Sequence, residues 1–101
     1  MPRPHSPGPD GDATRARERG VAVAEQHLAL HPDDVRALYM GANGLVALGQ
    51  RDEGLAWARR ALALEPNEPM LLYNIGCIYS LASMPNDALD CLEQAVGRGL
   101  T

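Results

Sequence analysis

Slid 34 residues along itself, the sequence meets its own pattern. The stretch from Ala24 to Pro32 (AEQHLALHP) lies over Ala58 to Pro66 (ARRALALEP), so that Pro32 falls on Pro66. Leu92 to Val96 (LEQAV) lies over Ala58 to Leu62, Leu38 and Tyr39 fall on Leu72 and Tyr73, and Leu45 falls on Tyr79. A repeat of this length is one supersecondary unit that cannot bury its apolar face alone and must stack on its neighbours. In a chain of 101 residues, that leaves room for a single short array and no separate second domain.

Apolar residues recur at spacings of three and four, the period of a helix with one buried stripe. From Ala13 onward this periodicity predicts a helix over about 14–30, then helices over 34–48, 52–64, 68–82 and 86–97. Turn chemistry separates them. Pro32-Asp33-Asp34 stops one helix and caps the next, and Pro66-Asn67-Glu68-Pro69 repeats that role. Gly49 is placed to end a helix in the left-handed region, and Asp52 and Asn86 are expected to cap the helices that follow them. No alternating run is long enough for a strand. The fold class expected is all-α, built of antiparallel helical hairpins.

Residues 1–12 differ. Four of the eight prolines lie there, with Gly8 and Gly11 between them and almost nothing apolar to bury. They are expected to form a disordered tail. No aromatic flanks the prolines, which weakens a reading as a proline-rich ligand.

Two helices per 34-residue unit resemble the tetratricopeptide repeat family, over residues 13–101. Leu72, Ile75, Gly76 and Tyr79 fit that family's first-helix pattern, with Leu in place of Trp, and Ala88, Leu92 and Ala95 fit the second-helix pattern. The middle unit keeps Leu38, Leu45, Ala61 and Pro66, has Ala42 for the usual Gly, and departs at Gly41, Gly54 and Ala58. Its core should be thin at those positions unless Trp57 fills it. The resemblance implies a right-handed solenoid of about two and a half repeats: a half repeat at 13–32 and full repeats at 33–66 and 67–101. Such an array is short for its kind. The chain is therefore expected to be a piece of a longer protein, and to cap its end helix with a second copy when isolated. The last repeat also resembles the tetratricopeptide tails of bacterial multidomain signalling proteins such as nucleotide cyclases and serine/threonine kinases, which implies a regulatory tail as an alternative role.

In this family the first helices line a groove that binds a peptide or protein segment, without catalysis. Carried over by position, the groove would hold Arg36, Tyr39, Met40, Asn43 and Ala47 from one unit and Met70, Tyr73, Asn74, Cys77 and Leu81 from the next. Arg36 aligns with Met70, Tyr39 with Tyr73, Met40 with Asn74 and Asn43 with Cys77. Tyr and Met supply contact area and Asn amides can pair with a ligand backbone; the plainer reading is that they pack on neighbouring helices. Asn43 and Asn74 match two positions of the carboxylate clamp found in chaperone-binding members. However, Tyr39 stands at the first clamp lysine and the chain has no lysine at all, so the clamp is not expected.

The remaining signals point away from other function classes. The formal charge of −4 disfavours a nucleic-acid or anionic-membrane partner. A composition of 46% hydrophobic and 22% charged residues suits a globular protein, expected to be cytoplasmic. His27 and His31 have chelating spacing but no third ligand, so neither metal nor cofactor is expected. Cys77 and Cys91 belong to opposite helices of one hairpin, Cys77 toward the groove and Cys91 toward the outside, so no bridge is expected. Gly41-Ala42-Asn43-Gly44 lacks the strand and lysine of a phosphate loop. Arg59 and Arg60, with Arg51 nearby, read as a solvated basic face.

Overall fold

The computed structural model describes residues 9–99, which form five helices and no strand. They are α1 (Pro9–Leu30), α2 (Val35–Ala47), α3 (Arg51–Leu64), α4 (Pro69–Leu81) and α5 (Pro85–Gly97). Each of α2 to α5 starts and ends within a residue of its expected bounds. The exception is α1, which reaches back to Pro9 and so takes residues 9–12 out of the expected tail. A proline at the first helical position gives up an N–H that has no helical partner anyway, and Asp12 in the opening turn faces the positive end of the helix dipole. Residues 1–8 lie outside the described part.

The 34-residue period is visible in the turns. Asp34 caps α2, its carboxylate accepting from the Ala37 N–H, and one period later Glu68 caps α4, accepting from Met70 and Leu71 with Pro69 as first helical residue. At the other ends, α2 and α4 close with the same hydrogen-bonded turn. Gln50 N–H donates to Leu45 O at 2.8 Å and Gly49 N–H to Val46 O at 3.0 Å; Met84 N–H donates to Tyr79 O at 2.8 Å and Ser83 N–H to Ser80 O at 3.1 Å. This turn needs a left-handed residue after the helix. Gly49 supplies it at φ 87° and its counterpart Ser83 at φ 62°. The same turns correct the expected caps. Gln50 and Met84 occupy the N-cap positions of α3 and α5, so Asp52 and Asn86 lie inside the first helical turn instead. A serine in the left-handed region carries a Cβ penalty that glycine lacks. Ser83→Gly is therefore expected to raise the free energy of unfolding by about 0.5–1 kcal/mol. Urea denaturation reads this directly, and an unchanged or lower midpoint would show that Ser83 bears no strain.

α2 pairs with α3 and α4 with α5, as two hairpins; α2 and α3 both touch α4, while α1 touches α2. Among the described helices α5 meets only α4 and α1 only α2, so contact passes from each unit to the next. The core runs along this line. Leu38, Leu45, Leu72, Ile75 and Ile78 are its largest fully enclosed side chains, and no polar side chain is buried among the described residues. Each such aliphatic contributes roughly 1.5–3 kcal/mol by leaving water.

Small residues set how closely the helices cross. A Cβ on Gly54 would sit 2.6 Å from Val46 Cγ2 and 2.9 Å from the Ala42 carbonyl, so α3 meets α2 there backbone to backbone. A Cβ on Gly41 would lie 2.6 Å from Trp57 Cε3, and closer still to Cζ3, because the indole covers the space that Gly41 leaves. The thin middle unit is filled as the sequence suggested.

Candidate functional site

α2 and α4 lie side by side, and near their N-termini they enclose a concavity of about 450 Å³. Arg36 and Tyr39 enter it from α2, Met70 and Asn74 from α4, over a floor of Val35 and Leu71. Four carboxylates stand around it, at Asp33, Asp34, Glu65 and Glu68, against the one guanidinium of Arg36. Helix spacing explains the convergence: Arg36 and Tyr39 are three apart on α2, Met70 and Asn74 four apart on α4, so each pair shares a face. Asn74 spends an amide hydrogen on its own helix, donating to Met70 O at 2.8 Å, which fixes its head and leaves the rest of the amide for a ligand.

The other expected groove residues are distributed differently. Met40 and Asn43 open toward α1. Met40 lines a hollow of about 480 Å³ between α1 and α2, together with Arg19, Gly20, Val23, Ala24 and Arg36. Asn43 lines its continuation with Arg17, Val21 and Gly44. The close fit of α1 on α2 brings this about, since a Cβ on Gly44 would stand 2.9 Å from Val21 Cγ2. Ala47 is half-buried, and Tyr73, Cys77 and Leu81 are exposed on α4; none of these four lines the concavity or the hollow.

The ionisable groups that drew attention in the sequence hold the array together. His27 Nε2 lies 2.6 Å from Asp34 Oδ2, joining the last turn of α1 to the cap of α2. The Ala37 N–H, and after it the His27 bond, hold the Asp34 carboxyl below its usual range. The His31 ring lies tilted by 35° against that of His27, their centroids 4.8 Å apart, and no group of three or more metal-ligating side chains occurs among the described residues.

Arg51, Arg59 and Arg60 are all exposed, as expected of a solvated face, and two of them also make links along the array. Arg51 Nε donates to Ala82 O at 2.8 Å, at the C-terminus of α4, and Arg60 donates to Pro32 O at 3.3 Å. Burial raises the pKa of the Tyr79 phenol, with the Arg59 guanidinium opposing it. The Arg51 and Arg60 links join segments 31 and 28 residues apart, and no local pattern announces them. Both cysteines are free, with Cys77 exposed. Cys91, expected on the outside, is buried against the hairpin interior, and burial, with Asp90 and Asp87 adding to it, pushes its thiol up. A thiol so placed is a poor nucleophile.

The described residues thus form an all-α, repeat-like array of helical hairpins with open hollows between neighbouring helices. No helix among them is long and apolar enough to cross a membrane. No protein-family model matches the chain, and no curated protein matches it.

Proposed function

We propose that the chain is a tetratricopeptide-type interaction module, a right-handed superhelical stack of about two and a half repeats, and that it binds a peptide or protein segment without catalysing a reaction. The observation that carries this reading is the concavity between α2 and α4, where Arg36, Tyr39, Met70 and Asn74 converge from two successive units. Tyr39 and Met70 offer an apolar contact of low entropic cost, and the Asn74 amide offers backbone pairing. The surplus of carboxylates on the rim selects the ligand's charge. A segment carrying Arg or Lys beside an apolar side chain fits, and an acidic tail would meet four like charges.

The test is selection from a randomised peptide library, followed by binding measurements on the chain and on Tyr39→Ala/Asn74→Ala. Peptides enriched in basic residues are expected, and the double substitution is expected to weaken them about tenfold or more while helicity is retained. Selected peptides that bind the variant equally well would place the site elsewhere.

A further inference from the structure

The hollow between α1 and α2 has a counterpart one period on, and the comparison shows what it lacks. Gly20, Val23, Ala24 and His27 stand 34 residues before Gly54, Trp57, Ala58 and Ala61, the side of α3 that packs on α2. Gly54, Ala58 and Ala61 are buried there. Among the described residues the same side of α1 has no helix of its own hairpin; Ala24 is buried against α2, but Val23 is 64% exposed and Gly20 and His27 are open. The hollow is a seat shaped for a helix, with an apolar floor and Arg17, Arg19 and Arg36 along it. Its one carboxylate, Asp34, is already bonded to His27.

At the far end of the array α5 has the complementary features. Leu89 and Val96 are 58% and 66% exposed and, with Leu92, form a stripe along one face. Their counterparts one period earlier, Leu55 and Leu62, are buried and half-buried where α3 has a helix on both sides. Asp87, Asp90 and Glu93 give α5 three carboxylates and no basic residue, and Glu93 borders the stripe. An amphipathic, acidic helix of 13 residues is the chemistry that the hollow accepts.

We infer that the chain associates head to tail, α5 of one copy seating in the α1–α2 hollow of the next. The inference stands apart from the groove reading, because neither Arg17, Arg19 nor the α5 stripe enters the concavity between α2 and α4. An α5–α5 pairing would set carboxylates against carboxylates, and pairing of two hollows would oppose their arginines; only the unlike ends attract. The two surfaces differ, so the contact does not close on a two-fold axis and can extend to a third copy or a ring.

Sedimentation of the full chain over roughly 1 µM to 1 mM, the range suited to a small interface, should show a mass rising with concentration and passing that of a dimer. Arg17→Glu/Arg19→Glu should weaken this about tenfold or more, and so should Asp90→Arg/Glu93→Arg, with helicity and melting retained in both. Mixing the two variants should restore association, since the reversed hollow now fits the reversed helix. A monomeric mass for the unaltered chain throughout, association insensitive to either reversal, or a mixture no heavier than its components would overturn the inference.

Discussion

Replacing Trp57 by alanine is expected to lower the free energy of unfolding by about 3–5 kcal/mol, the usual cost of removing a large ring from a packed site. The indole does two jobs. It covers Gly41, where even a single added carbon would overlap the ring, and it packs against the core around Ala58. One period on, the same space is filled from different positions: Ile75, Leu92 and a small Cys91 stand where this unit has Gly41, Ala58 and Trp57. Without its ring the first hairpin would keep only glycine and alanine there, with another alanine, Ala24 of α1, beside them. A domain of this size holds about 5–15 kcal/mol in total, so the variant should melt far earlier or fail to show a cooperative transition. Chemical denaturation followed by circular dichroism checks this, and a loss below about 1 kcal/mol would mean that the ring contributes surface cover rather than core. The graft Gly41→Ile/Trp57→Cys/Ala58→Leu transfers the other unit's solution and should recover most of the loss.

Why so much of the architecture could be read in advance, and some of it could not, follows from where each piece of information resides. The helix bounds are written locally, in Pro32, Asp34, Gly49, Pro66 and Glu68, because turn chemistry acts within a few residues. The caps expected at Asp52 and Asn86 fall two residues late because the closing turns at Gly49 and Ser83 run straight into Gln50 and Met84 as N-caps, which only the hydrogen-bond pattern reveals. Periodicity gives the face on which a side chain lies and says little about depth. The family resemblance, carried over by position, puts ten residues in one groove, while the structure brings Arg36, Tyr39, Met70 and Asn74 into one concavity and turns Met40 and Asn43 toward α1. The arginine links to Ala82 and Pro32 connect distant segments, so they have no local signature.

Gly54→Ala is expected to cost about 1–3 kcal/mol, although alanine favours a helix over glycine by about 1 kcal/mol. The new methyl would face the Ala42 carbonyl and Val46 N–H as well as a Val46 methyl, and backbone atoms cannot step aside as a long side chain can. The second hairpin shows how the same crossing accepts a methyl on its second helix. Ala88 is the counterpart of Gly54, and opposite it stand Gly76 for Ala42 and Ser80 for Val46. Volume has moved from the first helix to the second, with the crossing kept close in both. Ala42→Gly/Val46→Ser/Gly54→Ala copies that arrangement into the first hairpin. Taken one at a time, each change should destabilise, the first through helix propensity and a lost contact, the second through lost apolar burial, the third through overlap. Together they should cost less than their sum by about 1–3 kcal/mol, the coupling typical of residues in direct contact. Denaturation of the three single variants and the triple variant measures that difference. A triple variant no better than additive would show that the two crossings are closed by different geometry, and that the 34-residue period is a likeness of sequence without a likeness of packing.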